Sequence, residues 1–373
     1  MEWRLITDDN VSDSFGLAAD EALAQRVGLG QSPPTLRLYT YAPCALVGRF
    51  QTVEHELHGD YCQANGIPIN RRPTGGGAII MGEGQLGVAL MIPGSKDDAY
   101  SRARELMSHF AAGVMCGLDS LGIEADFKRK NDIEVNGRKM VGLGIYRAPS
   151  NGLLFHASIL VSLDVPYMLK VLNTPFEKIS DKEIAMVSAR TTDIYREVDK
   201  IMPLDDVRQR MADGYKAAFD VALVPDDFTS EEREDIIQLE QEKYLTYDWV
   251  FQEIEVPDTF GSAKVKTPAG LLDIRVSLAG RTIKAVFIGG DFFASENAIA
   301  DLESSLRWHS SKPQAIAATL AKVYGQRQSE LNRIPLPDLT EVVQTAVKKG
   351  AIAEYRARSD PYGCFVTPEG ARV

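Results

Sequence analysis

Cysteine is scarce: four residues in a chain of 373, at Cys44, Cys62, Cys116 and Cys364, with no Cys-x-x-Cys pair. This spacing excludes a disulfide framework and a thiolate zinc site, and it suits a reducing compartment. A basic block is also missing. The formal net charge is −11, which leaves no cationic surface for duplex nucleic acid, although a few local arginines and lysines suffice for a small anion. No apolar run approaches the length that crosses a bilayer. The opening MEWRLITDDNV lacks the charged start and apolar stretch of a signal peptide. These absences predict a cytoplasmic protein that acts on neither membranes nor nucleic acid. Internal repeats and low-complexity segments are absent as well.

What is present is ordinary for a globular chain: 45% apolar and 25% charged residues, and enough length for two domains and a sizeable core. Short apolar runs read as strands at WRLITDD, LRLYTY, ALVGRF, IPIN, AII and QLGVALMI, and periodicity predicts helices over 12–27, 53–65 and 100–121. In NDIEV-NG-RKMVGLGIY, Asn-Gly lies between two apolar-rich runs, the mark of a two-residue hairpin. NGLLFHASILVSL supplies a further strand. Residues 203–243 read as helix in two pieces split by PDDFTSEERE, with Thr229 and Glu232 spaced as a capping box. Beyond YLTYDW the pattern returns to strands (AKVKT, GLLDIRVSL, RTIKAVFIGG), followed by helices near 295–306 and 312–325. Strands and helices without strict alternation predict an α+β class. The expected division is a mixed-sheet domain over 1–245, a small α+β domain over 246–345, and a tail of unassigned role over 346–373.

Two arginines precede a glycine triplet in RRPTGGGAIIMGEGQLG, residues 71–87. Such a triplet weakens strands and helices, so it predicts close approach of something to the backbone. Gly75, Gly76 and Gly77 can expose successive N–H groups as a concave anion site. Arg72 offers a forked cation at its rim, matched to phosphate or carboxylate oxygens. The alternative is a tight bend between strands with solvated arginines. No Gly-Lys-Ser/Thr follows, so this is not a Walker loop.

In a type I′ hairpin Val135 faces Arg138, Glu134 faces Lys139 and Asp132 faces Val141. Lys139 then shares a face with Asp132, Glu134, Val141, Leu143 and Ile145. Gly142 and Gly144 lie opposite, where something approaches closely or the strand bends. On spacing alone Lys139 is an ion-pair partner for Glu134. His55 and His58 in EHELH fall one residue short of the zinc-protease pattern and read as a solvated helix face. His156 in LLFHAS reads as a core histidine, and Lys128-Arg129-Lys130 as a solvated face beside Asn131-Asp132.

RRPTGGGAI, then KNDIEV with NGRKMVGLGIYR, then LLFHASILV resemble in order and spacing the lipoate–protein ligase family; LAADEAL and PCALVGRFQ resemble its opening. The resemblance covers roughly residues 1–190, while YDW and FIGGDFF are similar to the accessory domain of two-domain members. DPYGCFVTPEGARV matches nothing usable. The resemblance implies a catalytic domain of the lipoate/biotin ligase type over 1–245. There lipoate or octanoate and MgATP would give acyl-AMP and pyrophosphate, and the acyl group would pass to a lysine of a lipoyl domain or H-protein-like carrier. By similarity Arg72, Gly75, Gly76, Gly77, Ala78, Ile79 and Ile80 hold the nucleotide and phosphates, with Asn131 and Asp132 completing the site. Lys139 is the catalytic cation at the carboxylate and α-phosphate oxygens, with Asp132 near it or near magnesium. Lys139, Gly142 and His156 border the acyl group. No serine or cysteine nucleophile is needed, because the substrate carboxylate attacks first and the acceptor lysine second; the protein supplies positioning and cations.

One departure stands out: Met81-Gly82 occupy the place of the family's His-Asp, at the acyl pocket. Relatives that act as octanoyl or lipoyl transferases carry a thioester-forming cysteine just before the Asn-Asp region or in the strand after the lysine. Here those places read DFKRKND and NGLLFHASIL, without cysteine. Biotin ligases share the fold but keep a different arginine-glycine pattern. A non-catalytic acyl- or nucleotide-binding module is the remaining alternative, favoured only by Met81-Gly82.

Overall fold

The computed structural model describes residues 1–94, 102–129, 131–174, 180–252, 260–331 and 333–359. Lys130, Cys364 and the rest of the segment from 360 to 373 lie outside the described residues, as do the side chains of Lys128 and Arg129. The chain divides into two compact units, Met1–Gln252 and Glu253–Val373. Among the described residues no helix is long and apolar enough to cross a membrane.

In the first unit eight strands form one mixed sheet in the order Ala222–Pro225, Glu2–Val11, Thr35–Tyr41, Gln85–Pro93, Gly152–Leu160, Arg138–Arg147, Asp132–Val135, Asp126–Arg129. The first three are mutually parallel and the remaining pairings antiparallel. GVALMI (87–92) is an unbroken apolar run because both faces of the sheet are covered. Leu86, Val88 and Leu90 pack with residues of the helices Ala103–Asp119 and Leu204–Phe219, whereas Ala89 and Met91 pack with those of Asp13–Gly28. The edge strand Ala222–Pro225 falls inside the stretch expected to be helical, since four residues carry too little periodicity to identify it. The capping box is present: Thr229 and Glu232 bond each other's backbone, and Glu232 also receives a forked pair from Arg4 at 2.7 and 2.8 Å. Residues 53–65 form two short helical turns, Val53–Glu56 and Gly59–Ala64, interrupted where Leu57 bridges Leu172.

A second, three-stranded sheet sets Cys44–Val47 between Ile69–Arg71 and Ile79–Met81. The arginine pair and the residues after the glycines therefore flank one central strand, and the glycine loop crosses its end. Gly48 follows that strand, and a Cβ there would lie 2.1 Å from the Gly76 carbonyl oxygen. Only a residue without a side chain allows the two loops to meet.

The Asn-Gly hairpin is formed, with Asn136 at φ 51 and Gly137 at φ 74, as a type I′ turn requires. Its register contains a correction. Val135 opposes Arg138 and Glu134 opposes Lys139, but Ile133 opposes Val141 and Asp132 opposes Gly142. Met140 is the extra residue of a β-bulge. Beyond a bulge the alternation of faces is reversed, so Lys139 shares the face of Gly142 rather than that of Val141.

The second unit contains an antiparallel sheet of Phe260–Thr267, Gly270–Ala279, Thr282–Gly290 and His309–Ser310, with helices Glu296–Leu306, Pro313–Arg327 and Leu336–Ser359. The sequence did not announce the last helix. It packs against the first strand at Gly261, where a Cβ would come within 2.0 Å of the Ala346 carbonyl oxygen.

Candidate active site

A cavity of about 90 Å³ lies beside the glycine loop. Its lining includes Arg72, Gly77, Ala78, Asn131, Lys139, Gly142 and His156, all expected site residues. Leu17, Tyr39, Tyr41, Leu46, Ile79 and Met81 also line it, and no carboxylate does so among the described residues. Strand alternation explains which residues take part. Ile79 and Met81 face the cavity, while Ile80 points the opposite way into a small core with Ala45, Val47 and Val171. Ile80, expected at the nucleotide, is thus a core residue. Gly75, Gly76 and Asp132 do not line the cavity.

Arg72 departs from the expected rim position, and the neighbouring Arg71 is turned inward as well. Arg71 is buried, donating from Nε to the Trp249 and Val250 carbonyls at 3.0 and 3.1 Å and from Nη1 to those of Gly48, Arg49 and Gln51. Arg72 is 5% exposed. Its Nε donates to Thr74 Oγ1 at 3.1 Å, its Nη1 to the Leu46 carbonyl at 3.3 Å, and its Nη2 to the carbonyls of Gly75 and Gly77 at 3.0 and 2.6 Å. No described carboxylate pairs with it. Burial pushes its guanidinium down to about 10, which leaves it a cation at neutral pH.

Lys139 is the accessible cation. The bulge aims it across the cavity face, where its Nζ lies 2.7 Å from Asp132 Oδ1, so its partner is Asp132 and not Glu134. A Cβ on Gly142 would sit 3.4 Å from that Nζ. The Lys139 backbone is held on both sides, its N–H by the Arg190 carbonyl at 2.8 Å and its carbonyl by the Thr192 N–H at 2.9 Å. Asn131 is tied to Leu143 through N–H donated from Leu143 to Asn131 at 2.7 Å and Nδ2 donated to the Leu143 carbonyl at 3.1 Å. His156 Nε2 lies 3.0 Å from Thr74 Oγ1, and its ring occupies the space a Cβ on Gly144 would need, 2.1 Å away. Burial, and then the Arg72 charge, push His156 down to about 3, so the ring is neutral.

A cavity lined by apolar side chains, two cations and the backbone of the glycine loop accepts an amphipathic anion: a carboxylate or phosphate head with an apolar tail. The described cysteines stand apart from it. Cys44 and Cys62 are buried and Cys116 is exposed on its helix; none lines the cavity. Burial, reinforced by Asp13, pushes the Cys44 thiol well up, away from the reactive thiolate.

A family model described as the lipoyl protein ligase A/B catalytic domain matches residues 13–216. The chain belongs to this family. Its mixed α+β fold is that of the family's catalytic domain. Lipoate-protein ligase LplJ of Bacillus subtilis is 26% identical over 320 residues, covering 85% of this chain and 93% of the relative. Octanoyltransferase LipM of Carboxydothermus hydrogenoformans is 29% identical over 271 residues, covering 67% and 98%. Among solved structures, a bi-partite lipoate protein ligase from Thermoplasma acidophilum superposes with TM-score 0.61 at 28% identity over 69% of this chain and 99% of that one. A lipoate-protein ligase A bound with ATP gives TM-score 0.58 at 26% identity, covering 67% and 99%. The family contains ligases and transferases, and membership makes the chain an enzyme of this pair of activities.

Sequence reasoning missed Thr74 and most of the apolar wall. Tyr39 and Tyr41 carried a usable signal, the alternation of LRLYTY, which puts both rings on one face. Thr74 carried none.

Proposed function

We propose that the chain is an ATP-dependent lipoate–protein ligase. One observation carries this reading: the cavity pairs an apolar wall with Arg72, Lys139 and the glycine loop, and no described cysteine lines it. An oxygen of the lipoate or octanoate carboxylate attacks the α-phosphorus of ATP, the α–β phosphoanhydride bond breaks, and pyrophosphate leaves. The acceptor lysine of a lipoyl domain or H-protein-like carrier then attacks the acyl carbon. An amide forms, the acyl–phosphate bond breaks, and AMP departs with a proton lost from the amine. Lys139 balances charge on the carboxylate and α-phosphate oxygens, and the loop at Gly77 and Ala78 receives phosphate oxygens through its amides. Leu17, Tyr41 and Met81 take the apolar chain, with Met81 and Gly82 standing where the family has His-Asp.

Asn131 holds the strand from which Lys139 projects, and Asp132 orients that lysine. Magnesium is held in such enzymes by one or two carboxylates together with substrate phosphates. Asp132 is suited to that role only by giving up part of its hold on Lys139, and among the described residues no group of three or more His, Cys, Asp or Glu side chains is gathered to hold a metal by themselves. The ATP-bound structure among the relatives supports nucleotide use, and the ligase described with its E2 lipoyl domain supports a carrier-protein partner. The first unit carries the chemistry, the second is accessory to it, and the setting is the ATP-containing cytoplasm.

The transferase reading rests on the LipM relatives alone. Acid-dependent exchange of labelled pyrophosphate into ATP, with lipoate, octanoate and biotin in parallel, separates the two. Exchange with lipoate or octanoate is expected. Absence of exchange with every acid, together with an acyl group found by mass spectrometry on Cys44 or Cys116, would replace the ligase by the transferase.

A further inference from the structure

Thr74 is 1% exposed, and its hydroxyl has one proton. It already accepts from Arg72 Nε at 3.1 Å, and the only described acceptor for its own proton is His156 Nε2 at 3.0 Å. A buried hydroxyl does not leave its proton unused. The proton therefore points at Nε2, and His156 is the tautomer protonated on Nδ1. The order Arg72, Thr74, His156 is a directed chain of donors that ends on a ring anchored in the sheet strand Gly152–Leu160.

The other end of the same guanidinium acts on the loop. Nη2 holds the Gly75 and Gly77 carbonyls. In a planar trans peptide the carbonyl and the following N–H point in opposite directions. Turning those carbonyls toward Arg72 turns the Gly76 and Ala78 amides away from it. No described residue accepts from either amide, and Ala78 stands on the cavity wall.

We infer that Thr74 is a positioning residue, fixing the Arg72 guanidinium against His156 so that the loop amides are presented to the acyl-phosphate oxygens. This rests on the ligase reading for what the amides bind, but the directed bond itself does not. Thr74 does not line the cavity, so its removal should act on the reacting state and not on ground-state binding.

The test compares Thr74→Val, which keeps the shape and removes the hydroxyl, with Thr74→Ser, which keeps the hydroxyl. Thr74→Val is expected to lower kcat for acid-dependent exchange by about tenfold to a hundredfold, the scale of one misplaced transition-state donor. KM for the acid should change by less than about twofold, and Thr74→Ser should restore kcat. Nitrogen chemical shifts of the five histidines, assigned by substitution, should show His156 bare at Nε2 in the wild-type chain and altered in Thr74→Val. An unchanged kcat in Thr74→Val, a loss confined to acid KM, or a wild-type His156 protonated at Nε2 would overturn the inference. If the wild-type chain supports no exchange with any acid, the ligase reading fails while the histidine tautomer still decides the bond.

Discussion

Arg37 and Arg72 are both buried in the first unit, and their company differs. Arg37 donates to Asp8 at 2.6 Å and Asp20 at 2.8 Å, and its guanidinium lies 4.0 Å from the centre of the Tyr39 ring. Arg72 has neutral oxygens only. A buried cation whose carboxylates are supplied by the fold spends its field inside the fold. One that is solvated by neutral oxygens alone keeps its positive field available to whatever enters the cavity beside it. Lys139 lies between these cases, paired with Asp132 yet with a side chain 39% exposed. On the ligase reading proposed above, Arg37 serves stability, Lys139 serves direct contact, and Arg72 shapes the loop and the potential around it.

The largest effect should come from the accessible cation. Lys139→Ala is expected to lower acid-dependent exchange about a thousandfold, on the scale of removing a principal charge stabiliser. Its melting temperature should stay close to wild type, because a half-exposed ion pair contributes at most about 1 kcal/mol. Full activity in this variant would remove Lys139 from the site.

Next, the two buried arginines should separate in urea unfolding. Arg37→Met leaves Asp8 and Asp20 facing each other without a cation and should cost about 3–5 kcal/mol. Arg72→Met leaves neutral carbonyls and should cost about 1–3 kcal/mol. Equal losses would erase the distinction between them.

The Arg72 charge also enters through His156, whose folded-state value of about 3 lies below its ordinary 6.5. The folded chain holds the ring neutral while the unfolded chain takes up a proton. This contribution to stability is complete above pH of about 6.5 and is lost as pH falls toward about 3, by up to about 1.4 kcal/mol per pH unit. His156→Gln should flatten the dependence of unfolding free energy over that window. The same slope in the variant would mean that another group titrates there.

The smallest effect on stability distinguishes two glycines. A methyl on Gly144 would come within 2.1 Å of His156 Nε2, whereas one on Gly77 would meet nothing within 4 Å. Gly144→Ala should cost about 1–3 kcal/mol by displacing the ring. Gly77→Ala should change stability by no more than about 0.5 kcal/mol, yet reduce exchange, because the methyl would stand where phosphate meets the loop. Loss of stability at Gly77 would show that its role is structural.

Much of the fold was legible because it rests on local rules. Short apolar runs marked Thr35–Tyr41 and Gln85–Pro93 as strands, and Asn136-Gly137 marked the hairpin. What was not legible depends on tertiary geometry. The bulge at Met140 leaves no trace in composition, yet it decides which face Lys139 takes and hence its partner. Arginine is usually exposed, so nothing in RRPTGGG indicated that both side chains turn inward to carbonyls. Ile80 was grouped with its neighbours because a three-residue strand gives no clue to which side is the core. Glycines could be read as places of close approach, but the structure was needed to say what approaches: Gly48 meets the Gly76 carbonyl, Gly144 meets the His156 ring, and Gly77 alone of these faces open space.

The central claim is that the acid is activated on phosphorus and never on sulfur. It is tested most directly with octanoate or lipoate carrying isotopically heavy oxygen in its carboxylate, incubated with ATP, the chain and a lipoyl-domain acceptor. Attack of the carboxylate on the α-phosphorus and later release of AMP predict one heavy oxygen in each AMP formed. Modified acceptor without labelled AMP, and acyl group recovered on a cysteine of the chain, would contradict the account.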